Sequence, residues 1–318
     1  MSILIFTETE NNKLKRNSAE LASYGTALAE KLNKDCVAVS FNADNAQELG
    51  KYGVLKVFNV TNAPQQFDAH TYASVLTYYT KSLGTTHIIL GSSADAKFIA
   101  PLLAANTNAA YAPNVVALPL EKQPLTVKRS AFTNKAFINT TLTAEVNIIG
   151  VGNNAFGSVE QAVNCVVENT TVEHTASNLE QLSISKENGK TTIADADVVV
   201  SGGRGLKGPE NWHLVENLAE VLGAAIACSK PVSDMGWRSH DEHVGQTGKP
   251  VSTNLYIAIG ISGAIQHLAG VNASKVKVVI NNDPEAPFFK AADYGIIGDA
   301  FEVVPVLTEK LKAFKAQS

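Results

Sequence analysis

Val198-Val199-Val200-Ser201-Gly202-Gly203-Arg204-Gly205-Leu206-Lys207-Gly208 is the stretch that decides the fold. An apolar β-branched run from Asp197 to Val200 reads as a strand buried on both faces. Glycines follow at once. Pro209 then opens an amphipathic run with Leu214, Leu218, Val221 and Leu222 on one side, which predicts a helix over 209–222. Further strands are predicted at Ala224–Ala227, Leu255–Ile259 and Val276–Ile280, a helix beginning in Ser262–Leu268, and a closing helix at Val306–Phe314. Strands alternating with helices imply a small doubly wound parallel sheet over 197–318.

Upstream, the first half alternates in the same way. Strands are expected at Ile3–Phe6, Cys36–Phe41, Val54–Phe58 and His87–Leu90, and helices at Ser18–Leu32, Thr71–Leu83 and Asp95–Asn106. Val115–Leu118, Leu125–Arg129, Lys135–Leu142 and Glu145–Ile149 read as consecutive strands of an antiparallel extension. A polar, aperiodic segment, Thr170–Ala196, reads as a linker with room for one short strand. The expected organisation is therefore α/β in two domains, an N-terminal nucleotide-binding-like domain over 1–190 and a C-terminal domain over 197–318.

Composition bounds the function. The 318 residues carry a net charge of -4, with 45% hydrophobic and 18% charged residues, an ordinary globular balance. No basic face suggests nucleic acid, and no apolar run reaches the ~18 residues of a membrane span. The N-terminus enters a strand directly, without the marks of a signal or transit peptide. Cys36, Cys165 and Cys228 form no disulfide framework, which fits a reducing cytoplasm.

Ligands of open α/β sheets bind beyond the carboxyl ends of the strands. Four strand ends here carry small, hydroxyl, amide or cationic residues: Ser201–Gly208, Cys228-Ser229-Lys230, Gly260-Ile261-Ser262-Gly263 and Asn281-Asn282-Asp283. Such residues let a backbone approach a phosphate and offer it donors. Gly203-x-Gly205-x-x-Gly208 matches the dinucleotide fingerprint in form, although any glycine-rich strand-to-helix turn can match it. The acid that should close an NAD ribose about 20 residues on is replaced by Cys228-Ser229-Lys230. Ser262 reads as a helix cap ahead of Ile265-Gln266-His267. His240-Asp241-Glu242-His243 has ligand chemistry but lies in a polar loop with no second cluster, so no metal is expected. No nucleophile–base constellation emerges, so no catalytic residue is assigned. Cofactor binding without hydrolytic machinery suits electron carriage.

At this point the motifs resemble a known family. Ser201–Gly205, Val244-Gly245-Gln246-Thr247-Gly248-Lys249, Leu255–Gly270, Asn281–Pro287 and Ala292-Asp293-Tyr294-Gly295, in this order and spacing, resemble the electron-transfer flavoprotein alpha subunit. The resemblance implies an electron carrier rather than an enzyme. It implies a heterodimer with a beta subunit, FAD held mostly by the C-terminal domain, and AMP or a second FAD in the partner. Flavin dehydrogenases of fatty acid oxidation would be donors and a quinone oxidoreductase the acceptor. An electron-bifurcating, NADH-using relative stays open as the alternative. By motif, Arg204, Ser229 and Lys230 would lie near flavin and pyrophosphate, and Val244, Gly245, Gln246 and Thr247 would line the ring. Ser262, Gly263, Ala264, Ile265, Gln266 and His267 would hold the pyrophosphate side, with His267 a neutral donor at the ring's pyrimidine edge. Asn281, Asp299 and Ala300 would contact the adenosine end. Lys230 stands where the family has Arg, a point charge in place of a planar fork.

Overall fold

The computed structural model describes residues 2–64, 66–132, 134–173, 192–193 and 196–317. Two compact units divide the chain: Met1–Ala131 with Phe137–Ser185, and Lys186–Ser318 with Phe132–Ala136. Most of the expected linker lies outside the described residues.

The first unit is built on one large sheet. Its longer strands are β1 (Ser2–Thr7), β2 (Asp35–Phe41), β3 (Lys56–Val60), β4 (His87–Leu90), β5 (Ala110–Val115), β6 (Leu125–Ala131), β7 (Ala136–Leu142), β8 (Asn147–Val151) and β9 (Val166–Thr170). They lie in the order β7-β6-β5-β8-β4-β1-β2-β3-β9. Pairing is parallel from β5 through β9, and β6 runs antiparallel to β5. Helix α1 (Ser18–Leu32) covers one face, setting Leu21, Tyr24 and Leu28 against Ile3 and Ile5. Helices α2 (Ala69–Ser82) and α3 (Ala94–Thr107) cover the other, where Leu76 and Ile99 meet Leu4, Phe6 and Ile88. The odd and even residues of β1 therefore serve opposite cores, as a doubly covered strand requires.

Two expectations are corrected here. The extension is not four consecutive strands: β5 begins five residues earlier than expected, and β8 returns to the middle of the parallel sheet, between β5 and β4. All five residues of β8 are buried, which its Ile148-Ile149 pair demands of a central strand. Strands β6 and β7, with the two-residue strand Glu121–Lys122 beside β6, extend the parallel sheet. The second correction adds β9, a polar edge strand hidden in sequence because only one side of it pairs.

The second unit holds a five-stranded parallel sheet: β10 (Val198–Gly202), β11 (Ala225–Cys228), β12 (Leu255–Ile259), β13 (Val276–Asn281) and β14 (Tyr294–Ile297), ordered β11-β10-β12-β13-β14. The edge strand β14 was not expected, and its apolar Tyr294, Ile296 and Ile297 are exposed. Helices α4 (His213–Leu222) and α7 (Ala300–Lys315) close one face around Val200, Leu218, Ile257 and Val304. The predicted helix over 209–222 begins instead as a 3₁₀ turn at Pro209–Asn211. A short helix, α5 (Lys230–Asp234), follows β11. Helix α6 (Ile265–Val271) follows β12 on the other face, above Tyr256, Ala258 and Phe288.

The buried position of β8 makes a prediction. Backbone amides of Ile148 and Ile149 exchange with solvent as slowly as those of Leu4 and Ile5, and Ile149→Ala lowers stability by about 3 kcal/mol in urea unfolding. Exchange as fast as at the half-exposed residues of β7 would contradict the central placement.

Candidate functional site

Strand order in the second unit reverses between β10 and β12: β11 lies on one side of β10, and β12, β13 and β14 follow on the other. This is the switch point at which doubly wound sheets open a crevice. The loops leaving the two strands meet there. Gly205 N donates to the Gly260 carbonyl at 3.0 Å, and Gly203 N to the Ile259 carbonyl at 2.8 Å. A Cβ on Gly203 would stand 2.2 Å from the Gly260 carbonyl oxygen, and Gly260 itself needs φ +63. Only glycine fits at either place.

Above this contact lies a cavity of about 520 Å³, within the ~300–1,000 Å³ usual for small-molecule sites. Twelve of the sixteen residues expected from the sequence line it: Arg204, Ser229, Lys230, Val244, Gly245, Gln246, Thr247, Ser262, Ala264, Gln266, His267 and Asn281. The other four lie elsewhere. Gly263 is packed against the Phe288 backbone, and Ile265 is 77% exposed. Asp299 caps α7 by accepting from Phe301 N at 3.0 Å, and Ala300 is buried beside Val304. The wall also takes in Gly205, Gly260, Ile261 and Asp283 from the strand ends singled out in sequence, whereas Pro231, Asp234 and His243 were not expected there. Asp234 sits a few residues past the β11 end already singled out, which is the signal that could have found it.

Ser262 is not the cap of α6. Ala264 holds that place and makes no side-chain bond, while the Ser262 carbonyl accepts from Phe288 N at 3.0 Å. Ser262 itself stays exposed at the cavity rim with Arg204, Lys230, Gln246 and Thr247. Asn281 is fixed by its own bonds: Nδ2 donates to the Ile261 carbonyl at 3.1 Å, and Oδ1 accepts from Asp283 N at 3.0 Å.

His267 is 6% exposed. Its Nε2 shares a 3.0 Å hydrogen bond with the fully buried Tyr256 hydroxyl, and its Nδ1 is sealed from water without a partner. Burial, aided by His243 and opposed by the Val244 backbone, pushes its pKa down to about 4, so the imidazole is neutral. Neutrality agrees with the sequence expectation. The nitrogens, however, are engaged or enclosed, and neither opens freely onto the cavity.

Burial pushes the Cys36 and Cys228 thiols up to about 12. The residues of the metal-like loop diverge, His240 to Ser233 at 2.6 Å and Glu242 to Arg238 at 2.6 Å. Among the described residues no cluster of His, Cys, Asp or Glu is placed to hold a metal. In the first unit, past the ends of β1 and β4, Glu8 is 5% exposed and accepts from Lys15 Nζ at 2.7 Å and from Ser93 Oγ.

Sheet order, glycine contact and polar-rimmed cavity together define a nucleotide-cofactor-binding α/β protein. The family described as "Electron transfer flavoprotein domain" matches residues 3–175, and "Electron transfer flavoprotein FAD-binding domain" matches 192–272. The chain is similar to the electron transfer flavoprotein subunit alpha of Thermoanaerobacterium thermosaccharolyticum, 33% identical over 98% of both chains. That of Bacillus subtilis is 32% identical over 99% of both. The mitochondrial protein of Dictyostelium discoideum is 55% identical over 41% of this chain and 37% of its own length. The chain belongs to the electron transfer flavoprotein alpha subunit family, and its second unit carries that family's FAD-binding domain.

The cavity fits the cofactor. Glycine backbones form its floor where a Cβ would intrude, and its rim offers cations, hydroxyls and amides. Among the described residues no helix is long and apolar enough to cross a membrane.

Two predictions follow from the geometry. Gly203→Ala forces the loops apart, so the variant is destabilised by more than about 2 kcal/mol and loses affinity for the cofactor, as urea unfolding and flavin titration would show. His267 carries a folded pKa below its unfolded value, so the unfolded chain takes up the proton first as pH falls. Stability is therefore complete above about pH 6.5 and drains away toward pH 4, by about 2 kcal/mol at pH 5. His87, also depressed to about 4 mainly by burial, acts in the same sense. His267→Gln should remove its share of the loss between pH 7 and pH 5; an unchanged loss would place the imidazole in a solvated setting.

Proposed function

We propose that this alpha subunit carries electrons from flavin dehydrogenases, such as acyl-CoA dehydrogenases of fatty acid oxidation, to a quinone oxidoreductase, paired with a beta subunit. The observation that carries this reading is the cavity at the β10/β12 switch point, lined by twelve residues expected from sequence and by no activated nucleophile. The reading assigns FAD to the domain over 197–318 and the partner-facing role to the domain over 1–190. FAD, when bound, supplies the electron-accepting ring.

The chain's own residues bind and orient it. The Gly203–Gly205 and Gly260 backbones permit close approach of a pyrophosphate, and Ser229 and Ser262 offer hydroxyls. Val244–Thr247 stands over the same cavity as a wall for the ring. Asn281, pinned at both ends of its amide, shapes the far wall. Asp299 and Ala300 lie outside the cavity, so contact with them requires the adenosine end to extend past β13. The exposed rim argues for cover by the beta subunit, because an electron-carrying ring needs water excluded. All three cysteines are free thiols, in keeping with a cytoplasmic setting.

The deciding experiment is co-purification with the beta subunit, a visible spectrum and a flavin count. One FAD per heterodimer, reduced by an acyl-CoA dehydrogenase and its substrate but not by NADH, is the expected result. Reduction by NADH with two FAD per heterodimer would mark a bifurcating protein instead, and a colourless complex would end the flavoprotein reading.

Lys230 is exposed at the rim. A positive charge there favours the reduced, more negative ring, so Lys230→Ala should lower the midpoint potential by about 20 mV, the value of about 1 kcal/mol for two electrons. Lys230→Arg, a planar fork in place of a point charge, should leave binding intact but move the potential measurably. Equal potentials in all three proteins would remove Lys230 from the ring's vicinity.

A further inference from the structure

The charges fixed on the cavity wall cancel. Arg204 and Lys230 contribute two positive groups, and Asp234 and Asp283 two negative ones. A dinucleotide cofactor brings a negatively charged pyrophosphate into this balanced site. One further wall residue can change its charge near neutral pH, and it ends the His240–His243 run whose metal-like pattern led to no site.

His243 is 7% exposed and lines the cavity. The chain is folded tightly around its ring. A Cβ on Gly248 would stand 2.8 Å from His243 Cγ, and one on Gly245 would stand 3.2 Å from its Nε2. The Lys249 N–H closes the turn by donating to the His243 carbonyl at 2.9 Å, and Val244 N holds the segment to β11 through the Cys228 carbonyl at 3.0 Å. Among the described residues the imidazole nitrogens have no hydrogen-bond partner, and they are absent from the polar atoms sealed away from solvent. In this they differ from His267, whose nitrogens are engaged or sealed.

We propose that His243 is a contact for the bound cofactor, neutral in the empty cavity and protonated when the cofactor's negative charge is in place. The inference rests on the FAD reading above and assigns it a residue that the family motif does not include. The groups around the ring set the sign. Burial, Lys230 and His240 disfavour the imidazolium, and Asp234 favours it, with the net effect that the free protein holds the ring neutral. His267 faces it from α6, and Cys228 adjoins it on β11; both are uncharged at neutral pH. Arg204 and Asp283 complete the charged wall. An added anion near the ring reverses the balance, so binding takes up a proton and strengthens as pH falls.

The test uses the complete heterodimer, depleted of FAD and titrated with FAD by calorimetry in two buffers of different ionisation enthalpy. Wild type should bind about threefold or more tightly at about pH 6 than at about pH 7.5, with net proton uptake. His243→Gln should bind without either effect, and His240→Gln, whose ring is engaged by Ser233, should retain both. Because a variant can fail to fold, the His243 Cε1 carbon signal of the wild-type protein is followed with pH, without and with FAD; its midpoint should rise on binding. FAD binding with the same pH dependence in wild type and His243→Gln, or an unmoved His243 midpoint, overturns this inference alone. A heterodimer that takes up no FAD overturns the function proposed above and this inference with it.

Discussion

The contact between the Gly203–Gly205 turn and Gly260 is the constraint on which the second unit depends. Two loops leaving adjacent parallel strands normally diverge, because side chains keep them apart. Here the backbones meet, joined by bonds of 2.8 and 3.0 Å, and Gly260 N is in turn held by the Ile280 carbonyl at 2.9 Å. The contact ties the ends of β10, β12 and β13 into one rigid floor. It also strips the floor of side chains at the place where a phosphate-bearing cofactor must come close. A single methyl group on Gly203 would reach the opposite carbonyl at 2.2 Å, so the floor and the register of the strands fail together.

Above that floor the cavity separates two kinds of polarity. Exposed groups at the rim, Arg204, Lys230, Gln246 and Thr247, remain solvated and free to meet ligand or partner. Deeper side chains are held by the protein: Tyr256 against His267, Asn281 against Ile261 and Asp283. Arg204 and Lys230 offset Asp234 and Asp283 around the cavity, so the bound cofactor supplies the net charge. The first unit uses the same strand-end geometry differently. There a buried Glu8, bonded to Lys15 and Ser93, ties together the segments that leave β1 and β4.

The central parts of both sheets were legible from sequence. His87–Leu90, Leu255–Ile259 and Ser18–Leu32 were read to the residue, because each is an apolar run or a helical stripe bounded by turn residues. The edges were not. Strand β9 carries Glu168, Asn169 and Thr170, and β14 is a four-residue run broken by Gly295; both are edge strands held by a neighbour's backbone rather than by burial. The return of β8 to the sheet centre was also hidden: pairing order is a choice among distant partners, and local hydrophobicity does not encode it. Most of the wall could be assigned because its residues follow strand ends at recognisable motifs. His243 was passed over as part of a polar, metal-like loop.

By itself the sequence determined the alternation of strands and helices, the glycine-rich strand ends and the lack of an activated nucleophile, because these depend on residue types at fixed local spacing. Tertiary structure alone decided the rest. It set the order β11-β10-β12-β13-β14, the meeting of Gly203 with Gly260, and the placing of Asp299 at a helix cap rather than in the cavity. It also decided which imidazole is enclosed and which faces the cavity. Each of these is a contact between segments far apart in the chain, fixed by packing and solvent exclusion in three dimensions rather than by the local pattern of side chains.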